Sequence, residues 1–147
     1  MKLKQISIAI ENSPGRLLEV TQALGDAGIN LRALNLVDTG AFGQLRLLVT
    51  DVAATRRILM EKHMPARVDD VVAAEIPDKP GSLAKVLKYL MDAKINVLYT
   101  YAFVGASSGN AVMIFRFTDN DKAVETLQKN GVKLLDADTF GILDADS

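Results

Sequence analysis

The chain is an internal duplication, and this limits its fold more than any other feature. Asn12-Ser13-Pro14-Gly15-Arg16-Leu17 has a counterpart in Asp78-Lys79-Pro80-Gly81-Ser82-Leu83, at an offset of 66. Holding that offset from position 12 to 30 gives nine identities in nineteen positions: Pro14/Pro80, Gly15/Gly81, Leu17/Leu83, Val20/Val86, Leu24/Leu90, Asp26/Asp92, Ala27/Ala93, Ile29/Ile95 and Asn30/Asn96. Chance would give about one or two at ordinary residue usage. Farther on, Thr50-Asp51 answers Thr118-Asp119 at an offset of 68, so the second copy has two extra residues in the preceding hairpin. The 147 residues therefore divide into two small, similar units.

Each copy reads the same way. Ile6, Ile8 and Ile10 alternate with Ser7 and Ala9, the pattern of a half-buried strand. Leu17, Val20, Leu24 and Ala27 recur at helical spacing, as do Leu83, Val86, Leu90 and Ala93. A proline at each helix start supplies a preset φ and lacks an N–H that would go unpaired there. Gly28 is expected as a left-handed cap on the first helix. Strands are expected at 31–38, 44–50, 96–104 and 110–118, with Gly40 and Gly43, then Gly105, Ser107, Ser108 and Gly109, marking the hairpins. A second helix starts near Asp51 and near Asp119, where Thr118 or an adjacent Asp closes the free N–H groups. Short strands follow at 66–69 and 133–138. The order β-α-β-β-α-β, run twice, with right-handed crossovers, places the helices on one face of a four-stranded antiparallel sheet. The class is α+β.

The first unit is expected over 1–70 and the second over 71–147. No Pro/Gly/Ser linker separates them; Arg67-Val68-Asp69-Asp70-Val71 leads from the last strand of one copy into the first strand of the next, a junction too tight for a tether. Thr139–Leu143 stands where the first copy continues into the second. Phe140, Ile142 and Leu143 make it too apolar for a free tail, and an extra strand beside the first copy's sheet is expected. Asp144–Ser147 is polar and expected to be exposed.

Composition removes whole classes of chemistry. There are no cysteines, so disulfides, thiol nucleophiles and thiolate metal sites are excluded. His63 is the single histidine and is expected near a helix end, as a solvated residue or one that complements the helix dipole. Asp26, Asp38, Asp51, Glu61, Asp69, Asp70 and Asp92 fall at caps, turns and helix faces, and none accompanies a recognisable nucleophile. No catalytic residue, metal or cofactor is expected. A net charge of -1 gives no general drive toward nucleic acid or anionic lipid. No apolar run approaches the ~18–20 residues of a membrane-spanning helix. The opening Met1-Lys2-Leu3-Lys4-Gln5 does not read as a secretory leader, and a cytoplasmic location is expected.

The repeated loop carries the chemical information. A strand ends, Asn12 or Asp78 follows, then Pro-Gly, then a helix. Glycine lets a ligand approach the backbone, and free N–H groups at a helix start attract an anion such as a carboxylate. Asn12 or Asp78 offers a partner to an ammonium group, and Asn30 and Asn96 offer an amide with free backbone groups. The same residues are also what a plain turn with a good helix start requires.

Two β-α-β-β-α-β units, each with [Asn/Asp]-x-Pro-Gly-x-Leu and an Ile-Asn pair whose asparagine lies sixteen residues after the proline, resemble tandem ACT domains over 4–76 and 70–143. The resemblance implies two ferredoxin-like units and a sensor of small molecules, most often amino acids, free-standing or attached to a biosynthetic enzyme. It places a ligand between the loop that starts the first helix and the second strand of a neighbouring unit. By that resemblance the ligand residues are Asn12, Pro14, Gly15, Arg16, Leu17 and Asn30 in one copy, and Asp78, Pro80, Gly81, Ser82, Leu83 and Asn96 in the other. Asn12 against Asp78 and Arg16 against Ser82 make the two sites unequal. The expected partners are an amino acid, a second copy of the chain in a homodimer, and a metabolic enzyme under regulation.

Two rival functions share this topology. One is an assembly module whose loops are purely structural. The other is an acylphosphatase-like activity, but the Gly-rich phosphate loop it needs is absent after the first strand. RNA-recognition modules also run β-α-β-β-α-β and stack bases on sheet aromatics. Tyr99, Tyr101, Phe103, Phe115 and Phe117 invite that comparison, yet Asn110–Phe117 lacks the Arg/Lys-Gly-aromatic-Gly pattern and the first copy has no aromatics on its second strand. Both faces of the second-copy strands are apolar, which points to burial on both sides.

Overall fold

A computed structural model describes residues 1–104 and 109–143, with the side chains of Phe103 and Val104 aside. The expected hairpin residues Gly105, Ser107 and Ser108 and the polar end Asp144–Ser147 lie outside the described residues. The elements run β1 (Leu3–Glu11), α1 (Arg16–Asp26), β2 (Leu31–Asp38), β3 (Phe42–Val49), α2 (Val52–Glu61), β4 (Ala66–Pro77), α3 (Ser82–Asp92), β5 (Val97–Val104), β6 (Asn110–Phe117), α4 (Asn120–Lys129), β7 (Lys133–Leu135) and α5 (Ala137–Phe140). This is β-α-β-β-α-β twice, and the junction of the repeats is one twelve-residue strand, β4.

One compact unit comprises Lys4–Asp69 and the described residues from Ala137 on. Its strands lie in the order β2-β3-β1-β4. β1 runs antiparallel to β3 with Ile8 opposite Leu45, and β2 is antiparallel to β3 with Leu36 opposite Leu45. Ile6, Ile8, Ile10, Leu45, Leu47 and Val49 are buried together with Val20 and Leu24 of α1 and Leu59 of α2. The opposite side of β1 differs from the half-exposed strand its sequence suggests. Gln5 and Ser7 are buried, joined in a chain in which Gln5 Nε2 donates to Ser7 Oγ at 3.2 Å and Ser7 Oγ donates to Asp69 Oδ2 at 3.0 Å. Arg67 Nε holds the same carboxylate at 3.0 Å. Buried polar groups need such partners, and these four residues supply them to one another.

The other unit comprises Met1–Leu3 and Asp70–Asp136, ordered β7-β4-β6-β5. Val72, Ala74 and Ile76 of β4 and Met113, Phe115 and Phe117 of β6 face Val86 and Leu90 of α3 and Ala123 and Leu127 of α4. The Phe115 and Phe117 rings stack with centroids 5.1 Å apart inside this core, which removes them as a platform for bases. Their neighbours Val71, Ala73, Val112 and Ile114 are buried as well, so both faces of these strands are covered. The second helices begin as their sequences indicate. Asp51 Oδ1 accepts from the Ala54 amide and Asp119 Oδ1 from the Lys122 amide, each at 3.0 Å.

The end of the chain departs from expectation. β7 stops at Leu135, short of 138, and the segment at 139–143 is not a strand. Ala137–Phe140 makes one helical turn, closed by Gly141 at φ 67°. Phe140 and Ile142 are buried, and Leu143 makes a single parallel bridge to Asp51 within the first repeat's unit. The apolar side chains do dock the segment, and the glycine makes it a turn in place of a strand.

Candidate functional site

The two Pro-Gly loops adopt one geometry. The Arg16 amide donates to the Ser13 carbonyl at 3.4 Å and the Ser82 amide to the Lys79 carbonyl at 3.2 Å. Gly15 has φ 88° and ψ -10°, Gly81 φ 86° and ψ -9°. These are the angles of the third residue of a type II turn, with proline at the second. Each proline therefore lies outside its helix, presetting the turn, and not at the first helical position. Each glycine is required by its positive φ. No atom stands within 4 Å of a Cβ built on either one, so the space above both turns is open.

The helices that follow are open at their starts. α2 and α4 have aspartate caps, whereas α1 and α3 have glycine N-caps with no side-chain cap bond. Their first helical bonds run from Glu19 to Gly15 and from Lys85 to Gly81. The N–H groups of the first turn face the loop side with the positive end of the helix dipole. This arrangement suits a carboxylate or another anion.

The remaining candidate residues separate into two ends of each repeat. Asn12 ties the loop to the β2–β3 hairpin, its amide donating to Ala41 O at 3.1 Å and its Nδ2 to Gly40 O at 3.4 Å. With Leu17 it lines a cleft of about 210 Å³ shared with Leu36 and Asp38. Arg16 pairs with Glu19 at 2.8 Å. In the second repeat Pro80, Gly81 and Ser82 line a larger cleft of about 560 Å³, while Asp78 is exposed and Leu83 packs half-buried on the helical core. Asn30 and Asn96 lie at the far ends of α1 and α3, about 16 Å away along a helix of this length. Neither joins its own repeat's loop; Asn96 lines a separate cleft with Leu87 and Met91.

Their backbone groups are not free. The Asn30 amide donates to Thr50 Oγ1 at 2.9 Å and its carbonyl accepts from the Thr50 amide at 3.0 Å. Asn96 makes the same pair with Thr118, at 3.4 and 3.1 Å. Thr50 and Thr118, conspicuous in the sequence only as a repeated Thr-Asp, bond these turns and leave only the asparagine side chains to offer.

Several residues around the clefts escaped the motif. Tyr89, Lys85 and Lys133 line the second cleft, and Leu36 and Asp38 the first. The signal lay in the differences between copies: Tyr89 stands opposite Ala23 and Lys85 opposite Glu19. His63 is exposed at the end of α2 with φ 58°. Among the described residues, no three His, Asp or Glu side chains are placed to hold a metal, and no helix is long and apolar enough to cross a membrane.

Comparison with known proteins gives a consistent result. A family model described as an ACT domain pair matches residues 1–142. The crystal structure of protein BT0572 from Bacteroides thetaiotaomicron is 37% identical, covers 97% of this chain and 98% of its own, and superposes with a TM-score of 0.91. The ligand-free regulatory subunit of aspartate kinase from Thermus thermophilus shares the fold at 16% identity, with 86% of this chain and 90% of that one covered and a TM-score of 0.61. Aspartate kinase from Clostridium acetobutylicum matches at 15% identity and TM-score 0.57 over 87% of this chain but 32% of its own. No protein of curated function matches in sequence.

Proposed function

The chain belongs to the ACT domain-pair family, and on that premise we propose that it is a non-catalytic regulatory protein that binds an amino acid between ACT units. The observation that carries this reading is the uncapped helix start. Both repeats cap their second helix with aspartate and leave the first helix open above a Pro-Gly turn. Each glycine is set by its positive φ and gives up only a few tenths of a kcal/mol against a side-chain cap, and it leaves the start of the helix without a side-chain acceptor. An open start with nothing above the glycine suits a ligand carboxylate.

In this reading Asn12 or Asp78 meets the ammonium group, and Arg16 or Ser82 distinguishes the two loops. Pro14, Gly15 and Leu17, with Pro80, Gly81 and Leu83, shape the turns. Asn30 or Asn96 is contributed by a different unit, since neither lies near its own loop. The ligand favours one arrangement of two units, and a partner reads that arrangement. A homodimer in the cytoplasm, acting on a metabolic enzyme, is the corresponding assembly. The fold shared with an aspartate kinase regulatory subunit supports the enzyme partner.

A second reading is an assembly module without a ligand. It is favoured by one observation: the type II turn alone accounts for both glycines. A thermal-shift screen against the common amino acids separates the two, because a ligand at 100 times its Kd adds ~2.7 kcal/mol. A rise in melting temperature with one amino acid supports the sensor; no rise with any supports the assembly module.

A further inference from the structure

The cleft of about 560 Å³ in the second repeat opens beside the start of α3, against the turn from α4 into β7. Its size is that of a small-molecule pocket. Lys79, Lys85 and Lys133 stand around it, and Tyr89 and Val86 give it an apolar wall. Lys133 is matched: its ammonium lies 3.5 Å from Glu75, which also accepts from Asn110 Nδ2 at 3.3 Å. Lys79 and Lys85 have no acidic partner among the described residues.

The duplication supplies an internal control. Gly131 and His63 are both left-handed at the ends of their helices, and the next amides, of Val132 and Met64, bond back to Leu127 and Leu59. Lys133 therefore corresponds to Pro65, as Lys79 does to Ser13, Lys85 to Glu19 and Tyr89 to Ala23. One copy has a neutral helix start with an Arg16–Glu19 pair; the other has three ammonium groups, one of them matched by Glu75, and a ring around one cleft. Stability gives no reason for the second arrangement. Cations beside a helix N-terminus oppose its dipole, and like charges repel.

We propose that this cleft binds a small organic dianion, its phosphate or dicarboxylate head held by Lys79, Lys85 and the open start of α3, and its body packed on Tyr89 and Val86. The site shares the open start of α3 with the amino-acid reading and departs from it in the rest of its lining. It lies within one repeat and uses neither Asp78 nor either asparagine of the second-strand turns. A phosphate monoester carries about two negative charges at neutral pH, matching the two unpaired ammonium groups.

Calorimetry on the full chain tests this with three probes: adenosine monophosphate, succinate and inorganic phosphate. One site per chain is expected, with adenosine monophosphate or succinate bound more tightly than inorganic phosphate, which has no body to pack. The tighter of the two identifies the head group. Lys85→Glu installs the first copy's residue and should weaken binding about tenfold or more. Lys79→Ser does the same on a turn residue, should Lys85→Glu fail to fold by circular dichroism. Lys62→Glu changes the net charge equally in the first repeat and should leave affinity unchanged. No binding of any probe at millimolar concentration, equal binding of inorganic phosphate and the organic anions, or equal weakening by Lys85→Glu and Lys62→Glu would each overturn the proposal. Amino-acid binding is titrated separately with Asp78→Ala, which should weaken an amino acid and leave the dianion unaffected, so failure of one reading is told apart from failure of the other.

Discussion

The Leu143 amide donates to the Thr50 carbonyl at 2.7 Å, fastening the end of the described chain to the first repeat. The bond sits one residue before Asp51, the cap of α2 and the partner of Leu143 in the parallel bridge. The contact works because Phe140 and Ile142 are buried on either side of Gly141. Emptying the Phe140 site should therefore destabilise the protein by ~3–5 kcal/mol, the range for buried Phe→Ala. Leu143 is 60% exposed, so Leu143→Ala should lower stability far less. Urea denaturation of the two variants measures the difference, and equal midpoints would show that this segment adds nothing.

Much of this end of the chain could be read from sequence, but only to a point. Phe140 and Ile142 announced burial by their hydrophobicity, whereas the switch from strand to a helical turn depended on Gly141 and on bonds made to Thr50. The repeated strand-loop-helix pattern was legible because each element had a second copy to confirm its period. Gln5, Ser7 and Asp69 were not: their burial depends on what covers the far side of β1, and alternation with Ile6 and Ile8 cannot report that. The Pro-Gly turns are legible in the sequence, and the length of the helix after each sets its distance from Asn30 or Asn96. Tyr89 stands outside the motif because the motif is what the two copies share, and the first copy has Ala23 at that position.

His63 and Lys94 adopt left-handed conformations, each at φ 58°, where the opposite repeat has Gly131 and Gly28. A side chain there is strained by ~1–2 kcal/mol, part of which glycine gives back through its freer unfolded state. His63→Gly and Lys94→Gly should each raise stability by ~0.5–1 kcal/mol. Gly28→Lys should lower it by a similar amount. Chemical denaturation decides; destabilisation by both glycine variants would contradict the conformational account.

The Lys2 ammonium lies 2.9 Å from Asp121 at the start of α4. Hydrogen bonding and attraction to that carboxylate raise its pKa above the ordinary lysine value. A raised pKa favours the folded state below the unfolded lysine's pKa, and that contribution is lost as pH rises through the folded value. Wild type should therefore lose a small increment of stability in the alkaline range that Lys2→Met does not lose. Melting curves taken from neutral pH into that range compare the two, and parallel profiles would show that the pair is solvated and idle.

Removing either aspartate cap should destabilise its helix by ~1 kcal/mol, as found generally for Asp→Ala at an N-cap. Placing a side chain at an open start is the informative counterpart. Gly15→Asn and Gly81→Asn retain a residue tolerant of positive φ, so circular dichroism should report folded protein. Valine would not serve, because a β-branched residue is strained at these angles whatever binds above them. Each Asn variant crowds the open backbone of its own loop, and the two should reduce amino-acid affinity unequally.

Calorimetric titration of the full chain with the amino acid that raises its melting temperature tests the central claim most directly, run beside Asp78→Ala and Asn12→Ala. Asp78 is exposed, and no ion pair or side-chain hydrogen bond holds it among the described residues, so its loss should leave folding intact while weakening any ligand whose ammonium it meets. The account predicts saturable binding, unequal sites, and a loss of affinity of about tenfold or more in at least one variant. Binding that neither variant alters, or no heat with any amino acid, would contradict it.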